Sequence, residues 1–376
     1  MNLEKRIIAF TRLGEILRKS SSPPFGGMGS FSILAEAITN ASKHNGWFTE
    51  ENILLAIGSL GEMLREDKIR KWISKYPISN IQHPTSRKVG VIMAGNIPLV
   101  GFHDFLCVLI SGNTFVGKLS SDDEFLLPAV TKILCEIEPA FANRIQFTNQ
   151  QINKSANVSA FIATGSNNSA RYFEYYFKKY PHIIRKNRNA IAVLDGKETE
   201  EDLKNLGKDI FQYFGMGCRN VSKIYIPQDY NLDTFFSAIV DFGDVINHNK
   251  YYNNHIYHRT IYLLNQEKFL DNNFLMLKES ATSPLPLSAR EGKEPKEEKN
   301  ISLSSPVATL YYERYKNQKE LNEKLLSVKD QIQCIASNHA VPSPLERVRV
   351  RYGQTQNPEL WDYADGVDTM KFLLDL

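Results

Sequence analysis

From Lys88 onward the chain alternates short apolar runs with amphipathic segments, and this alternation constrains its fold more than any other feature. KVGVIMAG reads as a buried strand, PLVGFHDFLCVLIS as a helix with proline in its first turn, and NTFVGKLS as the next strand, which together form a βαβ unit. The helix EFLLPAVTKILCEI follows, then strands at RIQFT and VSAFIATG, the helix SARYFEYYFKKY and the strand NAIAVLD. Such a succession implies a doubly wound, mostly parallel sheet reaching to about residue 197. Residues 1 to about 80 carry helical spacing alone: Ile7, Ile8, Leu13, Ile16 and Leu17, then ILAEAITNA, then ILLAIGSLGEMLRE opened by Thr49 as an N-cap. A helical N-terminal layer therefore precedes the sheet. Beyond it EEDLKNLGKDIFQYFG is an amphipathic helix, and VSKIYIP restarts the alternation in a second α/β domain. The expected division is 1–197, 198–345 and a C-terminal segment, 346–376, that packs back on the body. Around 280–300, SATSPLPLSAREGKEPKEEKN offers almost nothing to bury and reads as a flexible insertion.

Composition removes several function classes. Among 376 residues, 45 Lys and Arg face 42 Asp and Glu, a formal charge of +3, too small a surplus for a general polyanion binder, so no nucleic-acid partner is expected. No run approaches 18 uncharged apolar residues, so no membrane span is expected, and MNLEKRIIAFTRLGEILRK is a charged amphipathic helix pattern rather than a secretory leader. A cytoplasmic protein is the expectation. The four cysteines show no CxxC spacing, which speaks against a disulfide framework or a zinc ribbon.

Cysteine context then separates structure from chemistry. Cys107 in DFLCVLI, Cys135 in TKILCEI and Cys334 in DQIQCIA sit in apolar runs where a thiol behaves as a small hydrophobe. Cys218 lies instead in FGMGCRNVSKIYIP, behind two glycines that let backbone approach a ligand. A thiol nucleophile needs activation, and the oxyanion it generates needs aimed donors such as a backbone N–H and a side-chain amide. Asn96, in the strand-to-helix turn of MAGNIPLV, is placed to be such an amide, because open α/β sheets present ligand-binding groups beyond the carboxyl ends of their strands. Taken singly, each signal is weak, and a structural explanation is the commoner one for both residues.

In order and spacing, however, these motifs resemble the aldehyde dehydrogenase superfamily. MAGNIPLV followed by ISGNTFVGKLSSDD is similar to its Asn-x-Pro turn, helix and strand ending in a cofactor-contacting lysine, with 22 residues from Asn96 to Lys118. FIATGS resembles its phosphate-side turn, and Cys218 follows Gly165 by 53 residues. NIPLVGFHDFL, FGMGCRNVSK and the ending NPELWDYADGVDTMKFLL resemble one branch more closely, the acyl-CoA reductases related to the fatty-acyl reductase of bacterial luminescence. The resemblance implies two Rossmann-like domains, the first dinucleotide-binding and the second catalytic. It implies NADPH-dependent reduction of a fatty acyl thioester, acyl-CoA or a related activated acyl, to an aldehyde through a Cys218 acyl-enzyme. Lys118 would then contact the adenosine ribose or its 2′-phosphate, Thr164, Gly165 and Ser166 the pyrophosphate, and Glu279 the nicotinamide ribose. The insertion before SSPVATLYY separates Glu279 from Pro306 and leaves a surface role equally open. The branch also implies an acyl-activating or acyl-transfer partner, while a homo-oligomer, the acyl chain length and the carrier stay open.

One departure is informative. Hydrolytic members carry a glutamate in a Glu-Leu-Gly-Gly stretch that serves as base for water, whereas IIRKNRNAIAVL has no carboxylate around Lys186 to Asn189. An acyl-enzyme without that base exchanges with thiols in preference to hydrolysing. Two other classes remain in view: NAD(P)-dependent oxidation of an aldehyde, and a non-catalytic subunit of an acyl-transfer complex. No metal is expected. His248, His255 and His258 sit among rings with few carboxylates, which suits packing, and GGMGS (26–30) lacks the preceding strand of a dinucleotide fingerprint. His103 reads as a helix-facing hydrogen-bonding residue, and the tyrosines of RYFEYYFKKY as a cover for the sheet.

Overall fold

The computed structural model describes residues 1–21, 29–77, 86–148, 158–280, 303–341, 345 and 348–376, apart from the Asn167 side chain. The insertion beyond Ser280 and the first three residues of GGMGS lie outside them. The chain divides into two compact units, Met1–Asn187 with Asn357–Leu376, and Arg188–Gln356.

In the first unit, helices α1 (Leu3–Ser20), α2 (Ser30–His44), α3 (Glu50–Met63) and α4 (Glu66–Ile73) form the N-terminal layer. Thr49 caps α3, its hydroxyl accepting from Asn52 N at 3.3 Å. Phe10, Leu13 and Leu17 of α1 are fully buried at helical spacing and join the core beneath α5 (Phe102–Ile110) and α6 (Leu126–Ile137). A parallel sheet carries the order β3-β2-β1-β4-β5, with β1 Lys88–Ile92, β2 Thr114–Lys118, β3 Ile145–Phe147, β4 Ala160–Thr164 and β5 His182–Arg185. Helix α7 (Asn167–Phe177) follows β4. Leu360, Met370 and Leu373 of the returning C-terminal segment enter the same core, the last two from α12 (Thr369–Leu374).

The second unit is built on a seven-stranded sheet, order β12-β11-β6-β7-β10-β9-β8 among the described residues. Its strands are β6 Asn189–Val193, β7 Val221–Pro227, β8 Leu270–Asp271, β9 Met276–Glu279, β10 Thr309–Tyr315, β11 Ile332–Ala336 and β12 Arg349–Val350. All neighbours are parallel except β8 and β9. Helices α8 (Glu200–Phe211), α9 (Leu232–Ala238), α10 (Asn249–Leu264) and α11 (Gln318–Ser327) connect them.

Three local details differ from the sequence reading. The helix after Asn96 begins at Phe102, because Ile97 to Gly101 form turns and Leu99 takes a left-handed φ of 58°. HIIR forms β5, too short to stand out beside the aromatic helix before it. NAIAV, which alternation attaches to the first sheet, pairs with β7 and β11 in the second.

Candidate active site

In the first unit the sheet order places β2 on one side of β1 and β4 on the other, so the winding direction reverses between β1 and β4. At such a reversal the carboxyl ends of the strands open a crevice. The register sets Lys118 and Ala163 beside Ile92 on either side of it, so the turn bearing Asn96, the Lys118 end of β2 and the Thr164–Ser166 turn share one sheet edge. Gly95 is forced there: an added Cβ would lie 2.6 Å from Ser120 Cβ and Oγ, so the Asn96 turn lies against the segment after Lys118. Asp123 fixes the turn from below, its carboxylate accepting from Leu99 N at 2.7 Å. Burial pushes the Asp123 carboxyl up to about 6 against the bonds it accepts.

Ser166 caps α7, its hydroxyl accepting from Ser169 N at 3.2 Å, and a Cβ at Gly165 would meet Ser169 Cβ at 2.9 Å. Only glycine lets this backbone lie so close to the helix it starts. An ammonium, two hydroxyls and the positive end of a helix along one edge are a donor set that fits the phosphate and ribose oxygens of a dinucleotide.

In the second unit Cys218 is exposed, while Cys107 and Cys334 are buried and Cys135 is half-buried. Its surroundings begin with α8, opened by a capping box in which Thr199 and Asp202 exchange bonds. After α8 the chain turns through three left-handed residues, Tyr213, Phe214 and Gly215, with φ of 52°, 57° and 75°. Non-glycine residues in this region cost of order 1–3 kcal/mol each and persist only where their surroundings hold them. Tyr213 is buried, its phenol pushed up to about 12 by desolvation, and Phe214 stacks on His248 with ring centroids 4.2 Å apart. Cys218 and Arg219 then form the corner of a turn closed by Asn220 N donating to Gly217 O at 2.9 Å. The Asn220 side chain completes it, with Oδ1 accepting from Gly217 N at 2.8 Å and Nδ2 donating to Asp209 O at 3.0 Å and Gln212 O at 2.7 Å. Arg219 reaches Thr355 O at 3.3 Å, and the buried Asp209 accepts from Gly353 N, Thr355 N and Thr355 Oγ1. Just beyond the turn, the pairing of β6 with β7 slips at Ser222, a bulge of the kind that re-aims a chain beside a site.

Glu279 is exposed at the end of β9, and the register sets it level with Tyr312 and Ile224, two strands from β7. The next residue is anchored: buried Lys223 donates to Ser280 O at 2.6 Å while paired with Glu313 at 2.6 Å. Sequence reading passed over Lys223, Asp123 and Asn220, because a charged or amide residue inside a motif carries no local sign of burial.

The remaining candidates fall into structural places. His103 holds Leu360 O at 2.9 Å, His248 caps α10, and His255 pairs with Asp271 at 3.1 Å. The tyrosines of α7 do not all cover the sheet, since Tyr172, Tyr175 and Tyr176 are 66–80% exposed. Asp195, Glu198 and His339 bring ligand atoms within 4.8 Å of one another, but these carboxylates already accept from the N–H groups of their own turn. Among the described residues, no helix is long and apolar enough to cross a membrane.

Comparison with solved structures supports this architecture. Aldehyde dehydrogenase 21 from Physcomitrella patens, solved with its product succinate, aligns over 100% of this chain and 84% of its own at 13% identity and a TM-score of 0.62. An Escherichia coli NADP-dependent enzyme aligns over 93% and 76% at 11% identity and a TM-score of 0.62. A variant of aldehyde dehydrogenase C from Pseudomonas syringae, solved with NAD+ and octanal, aligns over 86% and 70% at 9% identity and a TM-score of 0.58. Identities this low establish the fold alone. No curated protein matches. The family model described as acyl-CoA reductase (LuxC) matches residues 35–239, more than half of the chain and a span that contains both the Asn96 turn and the Cys218 turn. The chain therefore belongs to the acyl-CoA reductase family, oxidoreductases that in this case are built on the aldehyde dehydrogenase fold.

Proposed function

We propose that the protein is a cytoplasmic, NADPH-dependent reductase that converts a fatty acyl thioester into a fatty aldehyde through an acyl group held on Cys218. The observation that carries this reading is the exposure of Cys218 on a hydrogen-bonded turn within a chain of the acyl-CoA reductase family. The Cys218 thiolate attacks the thioester carbonyl, a carbon–sulfur bond forms to Sγ, and the carrier thiolate leaves. Asn96 is assigned the side-chain donor to the oxyanion and Cys218 N–H the backbone donor. Reduced nicotinamide, when bound, supplies the hydride that takes the acyl carbon to the aldehyde level. Collapse of the second oxyanion then expels the Cys218 thiolate and frees the aldehyde. Lys118 is assigned to the adenosine ribose and its 2′-phosphate, Thr164, Gly165 and Ser166 to the pyrophosphate, and Glu279 to the nicotinamide ribose.

Lys186, where hydrolytic relatives have their glutamate region, is exposed and paired with Glu174 at 2.8 Å. This stretch brings no carboxylate of its own to activate water, which supports reduction over release of an acid. The test is intact-mass spectrometry after exposure to a panel of acyl thioesters without NADPH, followed by assay of aldehyde on its addition. Cys218→Ala is expected to abolish both acyl adduct and aldehyde while leaving the circular dichroism spectrum intact; retained turnover overturns the reading. Asn96→Ala is expected to slow the chemical step by about 10²-fold, as loss of one oxyanion donor does. Free acid accumulating from aldehyde and NAD or NADP would favour the oxidative alternative.

A further inference from the structure

We propose that Asn220 is the positioning residue of the cysteine turn, holding Cys218 in its attacking orientation through one side chain that no other residue type can replace. The inference rests on the reading of Cys218 as nucleophile only for its catalytic consequence; the clamp itself stands on geometry. Gly217, immediately before the cysteine, has both of its backbone polar groups bound to Asn220: its N–H donates to Oδ1 at 2.8 Å and its carbonyl accepts from Asn220 N at 2.9 Å. The turn carrying Cys218 is thus closed twice by the same residue.

The amide end faces the other way. Nδ2 donates to the carbonyls of Asp209 at 3.0 Å and Gln212 at 2.7 Å, with Ile210 O at 3.5 Å, where α8 leaves carbonyl groups without helical partners. Asn220 is 1% exposed, so water cannot take over either task. One end needs an acceptor and the other a donor, at the reach of a single methylene. Aspartate keeps the acceptor but aims lone pairs at carbonyls, glutamine is a methylene too long, and alanine supplies neither end. The three left-handed residues between α8 and the turn make the clamp necessary, because without it the end of α8 and the turn are free to relax that backbone and carry Cys218 with them.

The experiment compares wild type, Asn220→Asp, Asn220→Ala and Leu325→Ala, the last being a fully buried core residue of α11 remote in sequence from the turn. The rate of Cys218 acylation by an acyl thioester is measured over a range of thioester concentrations at matched folded fraction. Both Asn220 variants are expected to acylate at least tenfold more slowly at saturation with KM changed less than threefold, while Leu325→Ala stays within twofold of wild type. Acylation by the Asn220 variants within twofold of wild type overturns the proposal, as does an equal loss in Leu325→Ala. If the Asn220 variants do not fold, amide exchange of the wild-type protein decides: the Gly217 N–H is expected to exchange at least a hundredfold more slowly than in an unstructured peptide, and unprotected exchange overturns the clamp. If wild-type Cys218 accepts no acyl group, the proposed function falls. The clamp is then read from iodoacetamide alkylation of Cys218 in the same variants, expected to change at least tenfold, and an unchanged rate overturns it.

Discussion

Asp123 shows how one buried carboxylate shapes the Asn96 turn. It lies beneath Leu99, whose left-handed backbone presents an N–H to it, and desolvation raises its carboxyl to about 6 from an ordinary value near 4. The folded state therefore holds a proton more tightly than the unfolded chain, and its stability falls as pH rises from about 4 to about 6. Asn at this position keeps an oxygen for Leu99 N and loses the titration. Urea unfolding at several pH values should show wild type losing roughly 3 kcal/mol relative to Asp123→Asn across that window and no more above it; a constant difference across the window would contradict the assignment. Little of this was legible in the sequence. SSDD reads as a polar loop after Lys118, and nothing local separates Asp123, which is buried, from Asp122, which is exposed.

Among elements, the junction of α5, β5 and α12 is held by a buried ion pair. Arg185 at the end of β5 meets Asp104 of α5 and donates to Thr369 Oγ1 of α12 at 2.9 Å. Both charges are nearly excluded from water, so removing one partner strands the other. Arg185→Ala should cost about 3–5 kcal/mol, whereas joint replacement, Arg185→Met with Asp104→Leu, should cost far less, since the pair repays its own desolvation poorly. Chemical denaturation of the three proteins checks this, and similar losses in single and double variants would count against it. The apolar runs of β1, β2 and α5 were readable because Val89, Val91, Phe115, Phe105 and Leu106 are buried where their spacing puts them. Pairing was not: NAIAV has a strand pattern that suits either sheet, and its neighbours β7 and β11 lie about 30 and 140 residues further along the chain.

At the scale of the molecule, each unit has apolar clusters of its own, one built on the helical layer with α5 and α6 and others on the second sheet. Calorimetry should accordingly resolve two transitions, with Phe10→Ala lowering one and Leu325→Ala the other by several degrees; a single transition shifted equally by both would show one cooperative block. The fold class was legible because the alternation of strand and helix survives in the apolar pattern. The unit boundaries were not, because they follow from which segments meet and not from composition. That the first unit is completed only by Asn357–Leu376 bears on synthesis. On the ribosome the whole of the second unit emerges while the first still lacks Leu360, Met370 and Leu373, so nascent chains pass through a stage with an uncovered apolar surface. Synthesis of the Asn357–Leu376 segment therefore decides when the core of the first unit can close.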